Sequence, residues 1–278
     1  MDGLIVNLAP TGMVPTKAMT PHVPISVSEI VMEAKRCVAL GVNMLHLHAR
    51  DETGQPTYKK EIYARLIGSI REVCPEVVIC VSLSGRNFGS YEQRAEPLTL
   101  TGDLMPDMGS LTLASLNFSQ TASVNSPEMI QRLAGRMAEA GIKPELEAFD
   151  SGMVNYAHFL AHKGLIKPPF YFNLILGNVA TAQARPAQLG LMMSELPTGS
   201  IWAGGGVGAA QLTMNAMGML FGHGARVGLE DYLWLDSERQ HLATNSEMVK
   251  RCTDLAATFG KHAALPQEVR TALGLIER

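Results

Sequence analysis

Ser26 to His48 reads SVSEIVMEAKRCVALGVNMLHLH and holds a helix, its stop and a strand in one short span. Ser26 with Glu29 three residues on is the pattern of a reciprocal N-terminal cap. Val27, Ile30, Val31, Ala34 and Val38 then recur at helical spacing, and Gly41 ends the run. Asn43-Met44-Leu45-His46-Leu47-His48 follows with the period of a strand, so Leu45 and Leu47 point to one face and both imidazoles to the other.

The same alternation extends in both directions. Further strands are predicted at Leu4–Asn7, Val77–Ser82, Met108–Leu113, Glu145–Phe149, Phe170–Leu174, Ser200–Ala203 and Ala225–Gly228. Helices are predicted around Ile62–Val73 and over 129–140, 152–163, 186–195, 209–221 and 238–259, with a proline-rich loop at Pro10–Pro24. Strands alternating with helices call for a parallel sheet with crossover helices. A count approaching eight units in 278 residues predicts an α/β chain folded as a single (β/α)8 TIM barrel over residues 1–278. A doubly wound open sheet is the alternative. No GxGxxG follows the first strand, and Gly204-Gly205-Gly206 lacks that spacing.

A hydrophobic fraction of 46% with 18% charged residues suits helices wrapped around a buried sheet. The net charge of −3 points to neither a nucleic-acid surface nor an anionic membrane. Cys37, Cys74, Cys80 and Cys252 have no metal or redox spacing, and Cys37 and Cys80 fall in apolar runs, which predicts buried thiols in a reducing cytoplasm. No apolar run approaches a bilayer span, and the first residues carry no secretory pattern. Of the sixteen methionines, Met214, Met217 and Met219 crowd one helix and are read as packing.

Polar residues gather where the predicted strands end, which is where barrel enzymes keep their sites. Two imidazoles on one strand face can share a transition metal, zinc foremost, or be hydrogen-bonded interior histidines. Glu230 is the best third ligand, or else an acid favoured by a helix start. Asp231 and Arg226 form either a structural ion pair or a proton-removing aspartate tuned by an arginine. Glu145 and Glu147 share a face, read either as the polar barrel interior for both or as one interior ion-pair member and one solvent-exposed residue. Ser82, Ser84 and Gly85, ahead of Arg86, offer hydroxyls and approachable backbone to a carboxylate. His158 and His162 read as a helix-surface pair.

Pro10-Thr11-Gly12, His46-Leu47-His48-Ala49-Arg50, Ser82 to Gly85, Ser115 to Phe118, Glu145 to Met153 and Arg226 to Asp231 together resemble the β-keto acid cleavage enzymes over nearly the whole chain. That resemblance implies a zinc-dependent (β/α)8 barrel, usually a homotetramer, which converts a β-keto acid and acetyl-CoA to acetoacetate and a new acyl-CoA by a retro-Claisen/Claisen route. It implies His46, His48 and Glu230 as Zn2+ ligands, Asp231 as general base with Arg226 its partner, and Glu147 as a further active-site acid. Ser82, Gly85 and Ser110 correspond to substrate contacts. Two positions depart from the pattern. Val14 stands where the type member grips an amino group, so the expected substrate is neutral or apolar rather than 3-keto-5-aminohexanoate. Ala209 stands where relatives commonly carry arginine, which bears on CoA phosphate contacts. A zinc barrel hydrolase or aldol-type lyase without acetyl-CoA is the competing reading, and a non-catalytic metal-binding barrel the third.

Overall fold

The computed structural model describes residues 1–277. In chain order the elements are β1 (Ile5–Leu8), α1 (Val27–Val38), β2 (Met44–Leu47), α2 (Lys60–Val73), β3 (Val78–Val81), α3 (Tyr91–Ala95), β4 (Met108–Thr112), β5 (Leu116–Asn117), β6 (Ala122–Ser123), α4 (Pro127–Ala140), β7 (Lys143–Ala148), α5 (Ser151–His162), β8 (Phe170–Leu176), α6 (Pro186–Ser194), β9 (Ser200–Gly206), α7 (Ala210–Phe221), β10 (Gly224–Val227), α8 (Asn245–Thr258) and α9 (Pro266–Leu273). Eight parallel strands close in the order β1-β10-β9-β8-β7-β4-β3-β2, so the expected barrel is the one found and the open-sheet alternative falls away. No helix among the described residues is long and apolar enough to cross a membrane.

Leu45, Leu47, Ile79, Val81 and Leu146 face outward into the layer under the helices and are buried there. Their neighbours along each strand face inward, and the registers His46↔Cys80, Thr112↔Glu147 and Asn7↔Arg226 place polar side chains side by side inside. Ser26 and Glu29 cap α1 reciprocally, as the sequence predicts. Met214 and Met219 are buried between α7 and the sheet, and all four cysteines are buried free thiols.

Three differences from the sequence reading have local causes. The helix predicted over 238–259 begins only at Asn245, after a reciprocal Thr244–Glu247 cap. Upstream, the Asp236 carboxylate accepts the N–H groups of Gln240 and His241, and Arg239 sits at φ 58°, outside the helical region. The short hairpin β5–β6 has two residues per strand, too few to show a period. Helix α9 closes the amino-terminal end of the barrel: Val269 and Leu273 pack with Ile5, Met44 and Val78. Its buried Arg270 holds Asp107 through paired bonds of 3.0 and 2.9 Å.

Gly204 on β9 lets α7 lie against the sheet backbone, since a Cβ there would stand 2.2 Å from the Met214 carbonyl oxygen. Gly204→Ala is therefore expected to lower Tm by roughly 10 °C, from about 3 kcal/mol of overpacking against atoms that cannot rotate away. Gly190→Ala, where a Cβ would meet nothing within 4 Å, is the control expected to leave Tm unchanged or slightly raised. Equal melting curves for the two variants would refute this account of the β9–α7 contact.

Candidate active site

The carboxyl ends of the strands converge on a cavity of about 260 Å³ lined in part by Val14, His46, His48, Ser82, Glu147, Arg226, Glu230 and Asp231. Behind His46, outside the cavity lining, lies a buried carboxylate. Glu145, fully enclosed, accepts from Asn7 and Asn173 Nδ2, both at 2.7 Å, and lies 2.5 Å from His46 Nδ1. Burial alone would raise the Glu145 pKa, but His46, Arg226 and the Cys80 thiol hold it at about 2. An ionised Glu145 accepts a hydrogen bond from the Nδ1–H of His46, which leaves the Nε2 lone pair free, directed towards His48.

His46 Nε2 meets His48 Nε2 at 3.3 Å, and Glu230 Oε1 lies 3.2 Å from His48 Nε2 and 3.9 Å from His46 Nε2. Four-coordinate zinc with bonds near 2.0–2.1 Å spaces its ligand atoms roughly 3.4 Å apart, so this triangle has the right size. Glu230 Oε2 is buried with no hydrogen-bond partner, an orphan acceptor of the kind a cation satisfies. Burial raises the pKa of Glu230, yet His48, Arg226 and His46 hold it well below the carboxylate range. The donor set therefore fits a divalent metal. His46, Cys80 and Glu145 also lie close together, but they already bond to one another, and burial with Glu145 beside it drives the Cys80 thiol up and away from thiolate.

Arg226 ties three carboxylates together. Its fully buried guanidinium donates to Asp231 Oδ2 (3.1 Å), Glu147 Oε1 (3.1 Å) and Glu230 Oε1 (2.9 Å). Thr112 donates to the other Glu147 oxygen at 2.6 Å. Burial pushes the Asp231 carboxyl up to about 6, with Glu230 adding and Arg226 opposing. Asp231 is thus a carboxylate that can take a proton near neutrality. Four carboxylates against one bonded arginine leave this interior negative, a second reason for a cation to settle in it.

The loop before α1 reaches the centre because Gly12, at φ +68°, has no side chain: a Cβ there would stand 2.7 Å from Glu230 Cγ. Arg50 fastens the same loop by donating to the Gly12 and Pro15 carbonyls.

Most of the residues read from sequence thus share one cavity. Ser110 and Gly85 lie behind its wall. The Ser110 hydroxyl accepts from Leu83 N–H at 3.0 Å, and Gly85 backs onto Arg94 and the Val124 carbonyl, so both shape the turn that presents Ser82 and Ser84. His158 bonds the Glu195 carbonyl, away from the centre. Arg86, Thr112, Phe118 and Phe149 are among the cavity residues that received no role from the sequence. Position just after a barrel strand was the available signal for Arg86, while Phe118 sits on the hairpin that carries no periodic mark.

A sequence profile described as beta-keto acid cleavage enzyme matches residues 3–275. The chain is 36% identical over 277 residues to the 3-keto-5-aminohexanoate cleavage enzyme of Fusobacterium nucleatum, covering 99% of each chain. It is 32% identical over 278 residues to the 3-oxoadipate:acetyl-CoA acetyltransferase of Cupriavidus necator, covering 98% of this chain and 94% of that one. Among solved structures, the apo structure of ObcA superposes with a TM-score of 0.82 at 20% identity, over 93% of this chain and 66% of that one, a likeness of fold.

Proposed function

Because the chain belongs to the β-keto acid cleavage enzyme family, we propose that it is a zinc-dependent transferase that exchanges acyl groups between a β-keto acid and acetyl-CoA. In the net reaction the substrate's acyl group moves from its CH2COO⁻ carbon to the CoA sulfur. The acetyl group moves from that sulfur to the same carbon, giving acetoacetate and an acyl-CoA. The observation that carries this reading is the open triangle of His46, His48 and Glu230 beside a buried Asp231 that titrates near neutrality.

His46, His48 and Glu230 would hold the zinc, which when bound supplies a Lewis acid that draws charge onto the keto and carboxylate oxygens. Asp231 removes a proton from C2 to start the reaction, and its Arg226 partner keeps it aimed and holds Glu147 close by. The C2 carbanion takes the acetyl group from acetyl-CoA and releases the CoA thiolate. That thiolate adds to the C3 carbonyl, and the C2–C3 bond breaks by a retro-Claisen route, leaving the acyl-CoA and an acetoacetate carbanion that takes the proton back from Asp231. Ser82 meets the substrate carboxylate, and Ser110 and Gly85 act by fixing the turn behind it. Val14, exposed in the cavity wall, gives no counter-charge to an ammonium, which supports a substrate other than 3-keto-5-aminohexanoate. Ala209 brings no cation to the start of α7, so CoA phosphates find no arginine there. The homotetramer and the cytoplasmic setting belong to the same reading. Exposed Leu191 on α6 and Leu220 and Phe221 on α7 support association between copies.

Mass-spectrometric assay of the zinc-loaded protein with acetyl-CoA and a panel of β-keto acids is expected to yield acetoacetate and a matching acyl-CoA. Elemental analysis is expected to find about one zinc per chain, lost in His48→Ala. Bound zinc with no acyl-CoA from any acid would favour the hydrolase or aldol-type lyase instead.

A further inference from the structure

Arg86 follows β3, lines the same cavity as the histidines and Asp231, and lies with its guanidinium 3.7 Å from the centre of the Phe118 ring. The other arginines around this end of the barrel are engaged: Arg226 by three carboxylates, Arg50 by loop carbonyls, and Arg94 by the Leu83 and Val124 carbonyls and Asn125. The Arg86 guanidinium makes no hydrogen bond or ion pair among the described residues. Glu230, Asp231 and Glu147 act on it only through space. It stands over an aromatic face, partly out of water, with its N–H donors unspent. That is the geometry of a fork waiting for a carboxylate, since a guanidinium withdrawn from water recovers its lost solvation only from an acceptor. Val14, Phe149, Ile175 and Val207 add apolar surface to the same cavity, and the hairpin that carries Phe118 adds the uncharged Ser119, Gln120 and Thr121, so no second cation there competes with Arg86.

We infer that Arg86 recognises a second anionic group on the substrate, so that the preferred β-keto acid is a β-keto diacid. This inference rests on the transferase reading above and replaces the neutral or apolar substrate expected from Val14 with an anionic one. Valine removes the place for a cation, and Arg86 adds one for an anion. A cavity of about 260 Å³ holds a small acid rather than the nucleotide end of CoA.

The test compares 3-oxoadipate with 3-oxohexanoate, two six-carbon acids that differ by a terminal carboxylate in place of a methyl group. The wild-type enzyme is expected to favour the diacid in kcat/KM. Arg86→Gln is expected to lower kcat/KM for the diacid by about 10- to 100-fold, the range of a charge-assisted bond, and for the monoacid by less than about threefold. Arg86→Lys should recover part of the loss. Calorimetric titration with 3-oxoadipate in the absence of acetyl-CoA should show the same weakening in Kd. Arg86-dependent binding without turnover would sink the transferase reading and leave this one standing. No preference for the diacid, equal losses for both acids, or a change confined to the KM of acetyl-CoA would overturn it, by assigning Arg86 to the shared carboxylate or to a CoA phosphate.

Discussion

Asp231→Asn is expected to lower kcat by about 10²- to 10⁴-fold while zinc content and Tm stay near wild type. Asp231 stands outside the His46–His48–Glu230 triangle, so its loss takes no ligand from the metal. Among the described residues its side chain makes one hydrogen bond, the 3.1 Å contact from Arg226 Nε to Oδ2, which an asparagine oxygen can still accept. What the amide cannot do is take up a proton. Burial has brought the Asp231 carboxyl up to about 6, where it accepts a proton readily and gives it back near neutral pH. Saturating turnover of both substrates, with elemental analysis of the same preparation, checks the prediction. Activity within about threefold of wild type would leave Asp231 as nothing more than a partner of Arg226.

Arg226→Gln is expected to act on the fold as well as on the chemistry. One guanidinium bridges Glu147, Glu230 and Asp231 inside the barrel, where water cannot replace it. Removing one partner of a buried ionic network typically costs about 3–5 kcal/mol, because the remaining charges stay desolvated and now repel. For a chain of this size that is a Tm lowered by roughly 10 °C. Pairing it with Glu147→Gln removes one of the stranded carboxylates, so the double variant should be more stable than the sum of the single losses predicts. Additive losses, or a single variant that melts within about 2 °C of wild type, would show that the cluster does not depend on its shared cation.

Several features of the centre were legible in the chain because they are local. The two-residue period of Asn43–His48 put both imidazoles on one face, and that of Glu145–Phe149 put Glu145 and Glu147 on one face, both inward. Other elements were misread where local signals were absent or contradicted. The start of α8 depended on Asp236 capturing backbone N–H groups upstream, and two-residue strands gave the β5–β6 hairpin no period to read. The Ser110 hydroxyl oxygen accepts from the Leu83 N–H, a pairing that no spacing in the chain announces.

By itself, then, the sequence determined the alternation of helix and strand, the polar face of each strand and the pool of groups at the strand ends. Those follow from spacing along one segment. Only the closed barrel decided the pairings: His46 with Glu145 across 99 residues, Glu147 with Arg226 across 79, and His48 with Glu230 across 182. It also decided that Arg86 would be left with its donors free. Charge, burial and proton affinity in this centre come from neighbours that the chain brings together only when β1 pairs with β10 and the barrel closes.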